Sequence, residues 1–328
     1  MNKNTLKFLI AIVLFAFVVR VSIINSGIIE TKSGYYSIYP DENYSHISAK
    51  EFKPLSLNIN PGEWSLIKGP LFFEIVGTAY DLIETSKIKL LFFKNDHKEN
   101  IRQEFFTGRF LNIILSLLLI LLIYYFCVLT LQNKMVGLIA AFSYAIFSQE
   151  VMFANLITGD ILASLLTFLV LYLCIKAYKD KNPSILIQAA FLSGLAITAK
   201  YTAAISIIPI AVSYSLIALD KIPQKNFKAI FTSFFKKIIV PIVIAPIGGF
   251  LIGMPVILFK FRDFVDGLKV QAFYQSGEFI PGQNQLPRAV FYFSNVLFQG
   301  LGVVFVALIL IGIIFYLKQN FRKKEPLI

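Results

Sequence analysis

Apolar runs close to the roughly 20 residues needed to cross bilayer hydrocarbon recur along the whole chain, and this recurrence limits the fold more than any motif does. The clear ones are Leu6–Ile24, Phe110–Leu131, Val136–Ala154, Ile161–Tyr178, Ile238–Leu258 and Val296–Leu317. Ile185–Leu219 is about twice the length of a short span and is interrupted by Lys200, so it reads as a tight hairpin of two short helices. Together these predict an all-α polytopic membrane protein of about eight transmembrane helices.

Composition agrees. Of 328 residues 57% are hydrophobic and only 15% charged, more apolar surface than a soluble core needs. The first run follows Lys3 and Lys7, but it is longer than a signal core of about 7 to 15 residues and no small-x-small site follows directly, so it reads as a retained helix. Cys127 and Cys174 both lie inside apolar runs, where they serve packing rather than disulfides or thiolate metal sites. A net charge of +12 would suggest nucleic acid in a soluble protein. Here the lysines cluster between apolar segments and fit the positive-inside rule, so no nucleic-acid partner is expected.

The basic connectors set the orientation. Lys134, then Lys176, Lys179 and Lys181, then Lys221, Lys225, Lys228, Lys236 and Lys237, and finally Lys318, Arg322, Lys323 and Lys324 all fall on the side of Lys3 and Lys7 if Ser65–Phe106 does not cross. That side is cytoplasmic. Pro70–Phe93 is apolar but carries Glu74, Asp81, Glu84, Lys87 and Lys89, each costing about 2.5 to 3.5 kcal/mol at the bilayer centre. It is expected to lie in the interface as an amphipathic helix. The chain thus reads as a single membrane-embedded domain, 1–328, with two extracytoplasmic loops, 25–108 and 259–295, rich in Tyr, Phe and Pro.

This topology brings ionisable groups to one depth. Asp41 and Glu42 lie in the first loop, Lys68 near its middle, Arg109 and Asp160 at outer helix ends, and Lys200 at the outer tip of the hairpin. Carboxylates facing cations at a membrane surface suit chemistry on a lipid phosphate, and would also suit a transporter. Blander readings stand beside these. Asp41 follows Pro40 as turn residues do, the cations could snorkel from helix ends, and Asp160 could serve the helix dipole. His46 and His97 read as ordinary loop residues, with no partner at ligand spacing. The sequon Asn43-Tyr44-Ser45 overlaps the proposed site and reads as coincidence.

In order along the chain, several segments resemble the GT-C glycosyltransferases related to protein O-mannosyltransferases and aminoarabinose transferases. Tyr39-Pro40-Asp41-Glu42-Asn43-Tyr44 with Ala49 resembles their Asp-Glu signature in the first external loop. Trp64-Ser65-Leu66-Ile67-Lys68-Gly69-Pro70-Leu71 resembles their aromatic-x-x-Lys-Pro-Pro-Leu segment, with Gly69 in place of the first proline. Further similarities are Arg109, Ala140-Ala141 with Ser148 and Asp160, Gly194–Tyr201, and Gly253-Met254-Pro255.

The resemblance implies a GT-C fold and inverting transfer of a sugar from a polyprenyl-phosphate donor to an extracytoplasmic lipid, glycan or protein. It implies Asp41 as general base, Glu42 and Asp160 beside it, Lys68, Arg109 and Lys200 on the donor phosphate, and Tyr44, Trp64 and Tyr201 at the substrate. Asp41 and Asp160 alone are too few ligands for a divalent metal, so neither metal nor cofactor is expected.

Two other functions compete: a lipid-linked sugar carrier or flippase, and a scaffold that keeps the fold without catalysis. A carrier predicts midplane charges and a two-fold helix repeat, which the sequence does not display. Residue usage points to a bacterial inner membrane.

Overall fold

The computed structural model describes residues 3–31, 34–53, 58–86, 97–221 and 240–276, with isolated positions 290, 311 and 312. Residues 1–146 with 150–269 form one compact unit and 147–149 with 270–328 a second. Helix α1, Lys3–Ser22, is followed by an antiparallel hairpin of β1, Ile28–Thr31, and β2, Gly34–Ser37, with Ile29 opposite Tyr36. Helix α2, Pro40–Lys50, starts on a proline, whose missing N–H costs nothing in a first turn. Asp41 and Glu42 in that turn favour the helix dipole. A second short hairpin, β3 Phe52–Lys53 and β4 Asn58–Ile59, leads to α3, Glu63–Ile67, and α4, Pro70–Ser86.

The remaining elements are helices: α5, His97–Leu131; α6, Lys134–Ile146; α7, Ser148–Ala154; α8, Asp160–Lys179; α9, Ile185–Ala199; α10, Ile207–Lys221; and α11, Val240–Gly253. A 3-10 turn, Tyr201–Ser206, joins α9 to α10, and another, Pro255–Leu258, precedes α12, Phe261–Ser276.

The fold class agrees with the sequence. The number of crossings is met only in part among the described residues. Lys3–Ser22, Lys98–Leu131, Asp160–Lys179 and Tyr201–Ala218 are long and apolar enough to cross, and α6 with α7, bent by 64°, makes a fifth. Ile185–Ala199 and Ile242–Gly253 are apolar but shorter. The expected helix Val296–Leu317 lies outside the described residues but for 311 and 312, as do the connector lysines from Lys225 to Lys237 and from Lys318 onward.

Polar contacts inside the bundle sit where backbone groups have lost their helical partners. The bend after α6 frees terminal carbonyls, and buried Arg20 of α1 donates from Nη1 to Ala145 O at 3.0 Å and from Nε to Ser116 Oγ at 3.0 Å. At the opposite ends, Lys179 Nζ donates to Leu129 O at 2.5 Å, holding the ends of α8 and α5 together.

Small residues let α9 and α11 touch backbone to backbone. A Cβ at Gly194 would lie 2.0 Å from Pro246 O, and one at Gly249 2.0 Å from Phe191 O. Such contact replaces the hydrophobic driving force that lipid cannot supply between helices. Phe8, Leu14 and Val18 of α1 and Met135, Ile139 and Phe142 of α6 are exposed, the surface a helix turns to hydrocarbon.

Candidate active site

Three separate chain segments meet on one carbonyl. Gly69, at φ +132°, and Gly159 both lie against Ala199 O: a Cβ at either would stand 2.6 Å or 2.5 Å from that oxygen. Each of the three is the neighbour of a charged residue, so the junction gathers Lys68, Asp160 and Lys200. The positive φ also accounts for glycine where the resembled pattern has proline, since a proline ring holds φ near about −65°.

Lys200 breaks the α9 hairpin in an extended conformation, φ −162° and ψ 125°, and its ammonium is ion-paired with Asp160, both about one-third exposed. Lys68 closes α3, with Nζ 3.5 Å from Asp41 Oδ1 and 5.3 Å from the centre of the Trp64 ring. The Asp41 carboxylate is 80% exposed. Tyr44, one turn further along α2, and Trp64 are also exposed, while Tyr201 follows Lys200 half-buried.

Two partly separate contacts hold these segments in place. Asn112 Nδ2 donates to Leu156 O at 2.6 Å, with Phe153 O and Thr158 O at 3.3 and 3.2 Å, fixing the chain that leads to Asp160. Lys260 Nζ donates to Asn60 Oδ1 at 2.8 Å and Pro61 O at 2.9 Å, tying the chain after α11 to the start of α3.

Glu42 and Arg109 are placed differently from the sequence expectation. They face each other rather than a substrate, both fully buried, joined from Nε and Nη2 at 2.7 Å each. Arg109 Nη1 donates to Ile24 O at 2.6 Å and Ser26 O at 2.8 Å, and Glu42 Oε1 also accepts the Ile157 amide at 3.0 Å. A buried charge pair persists when its remaining hydrogen-bonding capacity is filled in this way. The pair thus ties together the chain after α1, α2, α5 and the approach to α8, and Arg109, expected on the donor phosphate, is buried within it.

His46, expected as an ordinary loop residue, stands on α2 with Nε2 2.8 Å from Glu104 Oε2 of α5, an oxygen that Lys50 Nζ approaches to 2.6 Å. Its ring stacks on Phe105 at 4.5 Å. The available signal was the i, i+4, i+8 spacing of Glu42, His46 and Lys50, which lines one face of a helix.

Two groups of α4 feel their burial. It pushes the Glu74 carboxyl up to about 7. It also raises the Tyr80 hydroxyl well above its ordinary value, with the charges of Glu104 and Glu42 adding to the effect. Among the described residues no three His, Cys, Asp or Glu side chains gather to hold a metal ion.

The arrangement thus offers a solvent-facing carboxylate beside one cation, and a second cation steadied by its own carboxylate, at the ends of apolar helices. No curated protein and no solved structure matches the chain significantly. Residues 101–247 match the family model described as dolichyl-phosphate-mannose-protein mannosyltransferase, a stretch that includes Arg109, Asp160 and Lys200 and begins after Asp41 and Lys68. Through that stretch the chain is similar to this family of GT-C-type membrane glycosyltransferases.

Proposed function

We propose that the protein transfers a sugar, with inversion, from a polyprenyl-phosphate donor to a hydroxyl outside the cytoplasm, in a bacterial inner membrane. The observation that carries this reading is the pairing of exposed Asp41 with Lys68, beside the Asp160–Lys200 pair. The acceptor oxygen attacks the anomeric carbon as the bond from that carbon to the phosphate oxygen breaks. Asp41 takes the hydroxyl proton, and the departing polyprenyl phosphate keeps the bonding electrons. Lys68 and Lys200 hold the charge that grows on the phosphate, as fixed cations do where a leaving group develops charge. Asp160 orients Lys200, and Tyr44, Trp64 and Tyr201 bound the space for substrate. No cofactor enters this scheme.

The test is sugar release by purified protein from a radiolabelled panel of polyprenyl-phosphate hexoses and pentoses, wild type against Asp41→Asn. Turnover lost in the variant, with lipid binding kept, is the expected result. Binding without turnover in both proteins would point to a carrier or scaffold.

A further inference from the structure

Helix α2 carries Asp41, yet little of it is anchored by apolar packing. It has 11 residues, too few to be a stable helix alone in water, and its N-terminal residue Tyr39 makes no side-chain cap. Tyr44 and Ile47 are exposed, which leaves Ala49 as its buried apolar residue. Other contacts therefore set its attitude: Asn43 exchanges hydrogen bonds with Ser37 of β2, Ser65 of α3 donates to Ser48, Ala49 O lies against Gly77 of α4, and two further polar contacts reach one partner, α5. Near the start Glu42 meets Arg109 of α5; near the end His46 and Lys50 share Glu104 of α5. The earlier residue of α5 meets the later residues of α2, so the two helices run in opposite directions past one another. Glu104 and Arg109 are about 7.5 Å apart along α5, spacing the two points of attachment.

On the side facing α5, a single attachment would hold α2 at one point, and two on the same face of α2 limit its roll there. A carboxylate about 6 Å from a helix axis moves about 1 Å for a roll of about 10°, and a displacement of that size can cost about 100-fold in rate. The groups surrounding this second attachment are Glu104 and Phe105 of α5, Lys50 of α2 and Tyr80 of α4, whose ring centre lies 5.8 Å from that of His46.

We infer that Glu104, with His46 and Lys50, is a positioning device for the reaction: it fixes the roll of α2 and so the place of Asp41, without touching substrate. The inference rests on the transferase reading given above. It assigns to His46 and Glu104 a role separate from donor binding, which falls to Lys68 and Lys200 on other segments.

The experiment compares wild type, Glu104→Ala and Glu104→Gln as full chains in lipid nanodiscs, with whichever polyprenyl-phosphate hexose or pentose of the panel turns over. Glu104→Ala is expected to lower kcat by about 10- to 100-fold with the donor KM within about two-fold of wild type. Glu104→Gln keeps acceptors and donors for His46 and Lys50 and is expected to restore most of kcat. An unchanged kcat in Glu104→Ala, or a donor KM that rises as kcat falls, overturns the assignment; if Glu104→Ala does not fold, His46→Ala carries the same comparison. Should wild type turn over no donor, the transferase reading falls by itself. The attachment is then judged by amide hydrogen exchange: exchange in residues 45–50 at least about tenfold faster in Glu104→Ala than in wild type and Glu104→Gln, with α8 unchanged, supports it, and equal exchange in Glu104→Ala and wild type overturns it.

Discussion

Arg109 is surrounded by acceptors that all belong to the fold, which makes it a test of burial rather than of substrate binding. Arg109→Met leaves Glu42 buried without its cation and is expected to destabilise the protein by about 3 to 5 kcal/mol. The double variant Arg109→Met with Glu42→Gln should recover part of that loss, measured as denaturant or thermal unfolding in detergent. Glu74 supplies a pH dependence. Its folded carboxyl is pushed up to about 7, so the folded state resists its ionisation. The stability tied to its neutral form is fully present below the ordinary carboxylate range and lost as pH rises through about 7. The thermal midpoint should fall between about pH 5 and about pH 8, and Glu74→Gln should flatten that fall. At this scale the sequence displayed Asp41, Lys68, Asp160 and Lys200 as exposed or helix-end charges of one depth. It could not display that Glu42 and Arg109 consume each other, because they are far apart in the chain and only the packing of α2 on α5 brings them together. His46 reads as a loop residue in the sequence for the same reason: its partner Glu104 lies on another helix.

Among the elements, the helices were legible because a hydrocarbon solvent imposes long apolar runs. The interruption at Lys200 also appears where an isolated cation breaks such a run. The two short hairpins in the first loop were not legible, since strands of four and two residues lack the length for a periodic pattern. Nor was the junction at Ala199, which depends on glycines that carry no signal of what approaches them. Gly159→Ala tests that junction. Its new Cβ would stand 2.5 Å from the backbone oxygen of Ala199, so α8 and the hairpin must part. The expected outcome is a loss of about 1 to 3 kcal/mol in stability with weaker binding of a polyprenyl-phosphate hexose. Thermal unfolding together with a lipid-binding assay would check it; wild-type values in both would mean the Asp160–Lys200 pair tolerates the shift.

For the molecule as a whole, the positive-inside rule predicts the first loop outside and the basic turns inside. A cysteine at Glu30 in the first hairpin should react with an impermeant thiol reagent in intact cells, and one at Asn182, between α8 and α9, should be protected. The reverse pattern would invert the topology and put Asp41 on the cytoplasmic face.

Helix α5 has one further consequence. Its 35 residues measure about 52 Å, while hydrocarbon is about 30 Å thick, so an unbroken rod rises from the bilayer and carries both Glu104 and Arg109 on its free end. Through these two residues the rod helps set the height of α2 and of its Asp41. If Asp41 is the base proposed above, a substrate hydroxyl presented too deep or too far out would pass it by, and acceptors would be selected partly by altitude above the lipid headgroups.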